Sequence, residues 1–487
     1  MQEINWRPDR NDPTQLHIQI IRYIKDKIAS GEWAIGTKLP SQRALSEAFG
    51  VNRSTVVTAM EELASEGLIR GNTGGGTVVI NNTWNVLSME HAPNWNTYIT
   101  SGMHQPNQSI MQRINQAESE PGFIRLGSCE PGPELIPRQT IQGILKKLSR
   151  SSSPLGYGEP KGYMQLRKEI CEYLKTMGIY SDPTCVLITS GALQALQLIS
   201  LGLLYRGSVV YLEKPSYLYS VRTFQSLGMQ LAGIPLDEEG INIQELLARH
   251  RQKRGSMLFS IPTFHNPTAN VMTLERRKAL MGVCAKERLP VIEDDVYREL
   301  WFEKEPPLPL KAFDENGHVL YVGGMSKNLC PGLRCGWVVG PEQVISRLAD
   351  IKMQTDYGSS TLSQCVAAEL FASGQYREHN VEMRKKVKLR RDIALGALER
   401  HFKDIATWNV PGGGYFIWLK LNSGVSMVEL FTKALGRRIL IHPGNLYEFH
   451  SNQYIRLSYA YASPKEIESG IRTLSKLVVG SAKTGFI

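Results

Sequence analysis

Apolar residues recur every four positions from Leu16 through Ile20 and Ile24 to Ile28, with Tyr23 beside them. That spacing predicts a helix with one buried stripe, ended by Gly31. Ser41 suits a helix N-cap, and Leu45 and Phe49 follow on the buried side before Gly50 breaks the run. Asn52 caps the next helix, whose stripe is Val56, Ala59, Met60 and Leu63, and Gly67 stops it. Two short helices joined by Gly50-Val51-Asn52 form a helix-turn-helix pattern. Leu68-Ile69-Arg70 and Thr77-Val78-Val79-Ile80 then flank the glycine-rich stretch 71–76, which predicts a hairpin, hence a wing. A phosphate-binding loop is the other use of such glycines. It would need a following Lys-Ser/Thr and a helix, and neither comes next.

Residues 81–122 have little periodicity and many asparagines, prolines and tryptophans, which reads as a linker with a short helix over 109–117. From 123 to 487 short β-branched runs alternate with helical stretches: Val209–Leu212, Met257–Ile261, Leu289–Ile292, Val319–Val322 and Trp337–Val339. The alternation predicts an α/β domain with a mostly parallel sheet. The expected organisation is a winged helix at 12–80, a linker at 81–122 and the α/β domain at 123–487.

Composition narrows this little: 42% hydrophobic and 21% charged residues describe an ordinary globular chain. No run of about 18 apolar residues suggests a membrane span, and the first residues lack a signal-peptide core, so a cytoplasmic location without a membrane partner is expected. The seven cysteines are scattered without a CxxC pair, which predicts reduced thiols and no metal site. The net charge of +10 makes a polyanionic partner plausible. Yet residues 1–80 hold nine Lys/Arg and nine Asp/Glu, so the excess lies downstream, densest in Arg384-Lys385-Lys386-Val387-Lys388-Leu389-Arg390-Arg391. That run is either a solvated helix face or a stripe touching nucleic acid.

In a helix-turn-helix the first turn of the second helix meets the major groove. Asn52, Arg53, Ser54 and Thr55 occupy it, with Arg43 near the start of the preceding helix. Arginine can pair bidentately with guanine, and short hydroxyls at a helix N-terminus suit phosphate oxygens. A helical module that never touches DNA is the alternative. The stretch 13–79 resembles the GntR-type winged-helix regulators through Pro40-Ser41-x-Arg43, Gly50-Val51-x-Arg53-x-Thr55-Val56, Glu66-Gly67-x-Ile69 and Gly74-x-Gly76-Thr77. The resemblance implies double-stranded DNA contacts from Arg43, Arg53, Thr55 and the wing glycines Gly74, Gly75 and Gly76. Val57 stands where some members carry an arginine.

In parallel sheets ligands sit at the carboxyl ends of strands. Three polar clusters follow predicted strands: Pro262 to Thr268, Glu293-Asp294-Asp295-Val296-Tyr297, and Gly323-Gly324-Met325-Ser326-Lys327 with Pro331-Gly332-Leu333-Arg334; a fourth, Thr189-Ser190-Gly191-Ala192, precedes a long apolar helix. A lysine, an acid, an arginine and a glycine-led helix start suggest pyridoxal 5'-phosphate chemistry. The region 123–487 resembles the fold-type I aminotransferases, most specifically in Ser326-Lys327 followed by Pro331-Gly332-Leu333-Arg334-x-Gly336-Trp337. That resemblance implies a Schiff base on Lys327, the phosphate on Arg334 and on the backbone of Ser190, Gly191 and Ala192, and the pyridine nitrogen on Asp294. It also implies that Asn266 and Tyr297 reach the phenolic oxygen, Tyr217 stacks on the ring, Tyr157 reaches a partner subunit's phosphate, and Arg456 grips an effector carboxylate. Gly324 stands where many relatives place a hydroxyl.

The two regions together resemble the MocR family of bacterial regulators. The resemblance implies a head-to-tail homodimer that binds operator DNA and senses an amine, an amino acid or pyridoxal phosphate itself. The alternative is a working aminotransferase with an appended DNA-binding domain. Lys327 serves both readings, because only turnover requires it to shuttle a proton.

Overall fold

The computed structural model describes residues 4, 6–30, 32–72, 76–80, 109–150, 156–422, 424–448 and 452–484, in two units divided after Gln105. In the first unit the periodic stripes become three helices, Leu16–Ala29, Gln42–Phe49 and Arg53–Ser65. The Ser41 side chain accepts the Ala44 N–H at 3.2 Å, and Gly50 closes that helix at φ +65°, a left-handed position that glycine adopts without strain. Ile20, Ile24, Ile28, Leu45, Val56, Ala59 and Leu63 are fully buried in one core. Each large side chain there contributes about 1.5–3 kcal/mol by leaving water. The core extends further toward the N-terminus than residue 12, because Trp6 stacks on Tyr23 at 4.4 Å. Ile69–Asn72 pairs antiparallel with Gly76–Val79 as the wing, in the register Ile69↔Val79.

The second unit holds, among the described residues, an eight-stranded sheet. Its spatial order is Val186–Thr189, Gly336–Val339, Val319–Gly324, Val291–Asp294, Met257–Ser260, Val209–Lys214, Gln230–Asp237 and Gly240–Ile241. All run one way except Gly336–Val339 and Gly240–Ile241. Val186–Thr189, Met257–Ser260 and Val291–Asp294 are buried along their whole length, as expected where both faces are covered. A smaller antiparallel sheet, which the sequence periodicity did not separate, orders Ala406–Trp408, Phe416–Leu421, Tyr454–Ser458 and His442–Pro443.

Two expectations change. The helix near residue 109 spans Ser109–Ser119 and buries Ile114 and Ala117 in the core around the small sheet, so it belongs to the second unit rather than to a linker. The basic run lies in the helix Gln375–Phe402, where Arg390 and Arg391 are buried and ion-paired to Glu134 and Glu303, and Arg384 meets Glu299 at 3.3 Å. It is neither a plain solvated face nor a free cationic stripe. The seven cysteines are free thiols, four of them buried. No helix among the described residues is long and apolar enough to cross a membrane, and no cluster among them could hold a metal ion.

Candidate functional site

A cavity of about 200 Å³ opens at the carboxyl edge of the large sheet. Ala192, Tyr217, Asn266, Asp294, Tyr297, Gly324, Ser326, Lys327 and Arg334 line it, joined by Cys129, Leu193, Leu196, Ile261 and Val296. Chain direction explains the convergence. Asp294 and Gly324 close parallel strands, whereas Arg334 precedes the reversed strand Gly336–Val339, and the reversal brings it to the same edge.

Asp294 is 4% exposed and forms no ion pair among the described residues. Its Oδ1 accepts the Val296 N–H at a long 3.4 Å, and burial pushes its carboxyl up to about 7. The Lys327 ammonium donates to the Cys129 carbonyl at 2.7 Å. Tyr415 hydroxyl donates to the Lys327 carbonyl and fixes that backbone from below. The Tyr297 hydroxyl lies 2.8 Å from Cys129 Sγ, and burial pushes it well up. Arg334 sits at φ +51° and donates to the Ser190 carbonyl at 2.8 Å. Gly191 stands at φ +87°, a left-handed position that glycine adopts without strain, and a Cβ there would stand 2.7 Å from Arg334 Nη2.

Arg456 lies behind the cavity, 1% exposed, with its guanidinium carbon 4.1 Å from the Phe416 ring centre and 4.8 Å from that of Tyr447. Nη1 donates to Asn266 Oδ1 at 2.8 Å, and Nη2 donates to the Gly127 carbonyl at 2.7 Å and to His442 Nδ1 at 3.0 Å. Its Nε has no partner despite full burial. Because arginine only donates, His442 Nδ1 must accept and the ring proton sits on Nε2. Burial, reinforced by Arg456, pulls the His442 titration well down and keeps the ring neutral.

Two comparisons with family models divide the chain as the fold does. Residues 123–474 match the class I and II aminotransferases, and residues 16–79 match the bacterial regulatory proteins of the gntR family. The chain belongs to the MocR-type regulators. This regulator is 52% identical to an uncharacterized HTH-type transcriptional regulator, YdfD, of Bacillus subtilis (strain 168), over 94% of this chain and 95% of that one. It is 35% identical to the HTH-type transcriptional regulator NorG of Staphylococcus aureus, over 89% and 98%. Among solved structures it resembles a Pyrococcus horikoshii kynurenine aminotransferase in complex with PMP, at 31% identity and a TM-score of 0.73, over 77% of this chain and 95% of that one. The α-aminoadipate aminotransferase LysN of Thermus thermophilus, complexed with N-(5'-phosphopyridoxyl)-L-leucine, matches at 29% and 0.74, over 80% and 99%.

The regulator's remaining predicted residues fall in three places. Ser190 and Gly191 flank the cavity, but the Ser190 N–H already donates to Gln194 Oε1 at 2.7 Å and its hydroxyl meets that of Ser359. The donors left at this helix start are therefore those of Gly191 and of the first turn beginning at Ala192. Tyr157 stands clear of the cavity, 88% exposed beside Tyr357. In the winged helix Asn52, Arg53 and Ser54 are exposed and Thr55 half-buried, while Arg43 is open to water apart from Glu47 at 3.3 Å. Asn52 makes no side-chain cap bond, so its amide is not spent on its own helix. Gly76 begins the second wing strand, and Gly74 and Gly75 lie outside the described residues.

Sequence reasoning missed Gly127, Cys129, Tyr415, Phe416, His442 and Tyr447. They come from loops and a second sheet far apart in the chain, and no spacing joins them. The signal that existed was the glycine and proline punctuation of Gly127-Ser128-Cys129-Glu130-Pro131-Gly132.

Proposed function

We propose that this transcription regulator binds pyridoxal 5'-phosphate in the cavity and alters its grip on operator DNA when an amine or amino acid joins the cofactor there. The observation that carries the reading is Asp294: a buried carboxyl, unpaired with any cation among the described residues, facing the same cavity as Lys327 and Arg334. Such a group suits a pyridinium N–H, and the orphaned Nε of Arg456 suits a carboxylate.

When bound, pyridoxal phosphate supplies an aldehyde that captures amines and a ring that withdraws electrons. Around it Lys327 would hold the aldehyde carbon and Asp294 the ring nitrogen. Asn266, steadied by Arg456, and Tyr297 would meet the phenolic oxygen. Tyr217 would cover the ring face, and Ser326, Arg334, Gly191 and the helix start at Ala192 would hold the phosphate. Arg456 would bind the carboxylate of an amino-acid effector. Tyr157, exposed on one protomer, would reach the phosphate of a partner in a head-to-tail homodimer. Asn52, Arg53, Ser54, Thr55 and Arg43 would meet the operator, with the wing glycines against its backbone.

The test is a visible absorption time course of the protein with pyridoxal phosphate and a panel of amines and amino acids. A band that borohydride fixes to the Lys327 peptide, absent from Lys327→Ala, is expected. A lasting shift without keto acid supports a sensor. Stoichiometric or greater keto-acid release would instead make the domain a working aminotransferase.

A further inference from the structure

The segment Leu126–Glu130 touches the groups a ligand needs. Its Cys129 carbonyl takes the Lys327 ammonium at 2.7 Å, its Cys129 thiol meets the Tyr297 hydroxyl at 2.8 Å, and its Gly127 carbonyl takes Arg456 Nη2 at 2.7 Å. The hydrogen count on Arg456 makes this a competition. Nη2 carries two hydrogens, and Gly127 and His442 use both. Either two-point edge of a guanidinium, Nη1–Nη2 or Nε–Nη2, includes Nη2. A carboxylate gripped at two points must therefore displace one acceptor. His442 sits on the strand His442–Pro443, paired with Tyr454–Ser458, whereas the Gly127 carbonyl lies on a loop outside any strand, so the loop carbonyl is the one to move.

The segment lies flat on its neighbours. A Cβ on Gly127 would stand 2.3 Å from His442 Cδ2 and 3.0 Å from the Ile441 and His442 backbone. Its other contacts lead away from the cavity. The Leu126 carbonyl accepts the Ser458 N–H at 2.6 Å. The Ser128 hydroxyl donates to Glu118 Oε1 at 2.6 Å, and Arg125 donates to the Glu118 carbonyl. Glu118 ends the helix Ser109–Ser119, which follows the stretch of chain leading from the winged helix.

We propose that Gly127–Cys129 is a strap that cofactor and carboxylate displace together, and that Ser128 passes the displacement to the helix Ser109–Ser119 through Glu118. The proposal rests on the cofactor reading above. It assigns the coupling to a backbone segment: the cofactor takes Lys327 and Tyr297 from Cys129, and the effector carboxylate takes Arg456 from Gly127. An amine without a carboxylate frees only the Cys129 half.

The experiment uses the full-length protein and N-(5'-phosphopyridoxyl)glycine, which carries phosphate, ring and carboxylate and needs no reaction at Lys327. Calorimetry measures its binding, and hydrogen exchange follows the peptides covering Ser109–Glu130 and Ser458. Exchange in both is expected to accelerate about tenfold with the conjugate, and less with pyridoxamine phosphate, which lacks the carboxylate. Binding with unchanged or slowed exchange would overturn the strap and leave the cofactor reading standing. No binding would remove the cofactor reading and the strap with it. In Ser128→Ala, affinity for the conjugate should stay within twofold and the Ser458 response persist, while the response in the helix Ser109–Ser119 disappears. Glu118→Ala should repeat this from the other side of the bond. A helix response that survives both variants would overturn the link through Glu118.

Discussion

Asp294 carries a consequence for stability that needs no ligand. Its carboxyl ordinarily titrates at 3.8, and burial raises it to about 7 in the folded protein. Between those values the folded state keeps a proton that the unfolded state has released. Stability therefore falls as pH rises from about 4 to about 7 and levels off above. The full rise corresponds to about 4 kcal/mol from this group. Glu213 and Glu293, both buried and also raised to about 7, act with the same sign. Melting curves of protein prepared without pyridoxal phosphate should show the melting temperature dropping from pH 5 to pH 8. Asp294→Asn should flatten part of that slope. An Asn variant with the wild-type slope would place the titration on the other two carboxyls.

Elements were legible where one local rule governed them. The four-residue stripe of Leu16, Ile20, Ile24 and Ile28 and the run Val291–Asp294 needed only periodicity and the expectation that polar residues follow a parallel strand. Lys327, Asp294, Asn266 and Arg334 were legible for the same reason, each beside its strand in the sequence and lining the cavity in the fold, whereas Tyr217 came only from the family resemblance. Cys129, His442 and Tyr447 were not, because what brings them to Arg456 and Lys327 is hydrogen bonding between separate segments of the chain. The helix Gln375–Phe402 shows the opposite failure. Its run of basic residues suggested a surface, yet the glutamates paired with Arg384, Arg390 and Arg391 lie 85 to 256 positions away. Arg391 is buried against a half-exposed Glu303 and donates to the Pro411 carbonyl at 2.8 Å. Arg391→Ala should cost about 1–3 kcal/mol in chemical denaturation, mostly through the lost carbonyl bond and the packing on Phe302. Operator affinity and its salt dependence should not move. A reduced salt slope would return the run to nucleic-acid contact.

At the scale of the whole molecule the division of labour is spatially clean. The residues lining the cavity lie in the second unit, and the exposed helix start at Asn52, Arg53 and Ser54 lies in the first. Arg53→Ala, on the exposed first turn of the recognition helix, should weaken specific operator binding by about 1–3 kcal/mol and relax discrimination at one base pair. Pyridoxal phosphate absorbance should be unaffected. Fluorescence anisotropy with operator and scrambled duplexes measures both arms, and equal affinity to wild type would move the base contact elsewhere.

The balance of charge in the first unit bears on how the regulator searches a chromosome. Nine basic and nine acidic residues share 1–80, and one of the acids, Glu66, is tied to Lys25 at 2.8 Å. Counterion release follows the phosphates that basic side chains meet, and a domain with as many acids as bases has fewer such contacts to offer than a strongly cationic one. A weaker sequence-independent hold would leave fewer molecules on the competing sites of a genome. Occupancy of an operator would then depend chiefly on base contacts. A signal that changed how the winged helix meets a few base edges would then be enough to switch it.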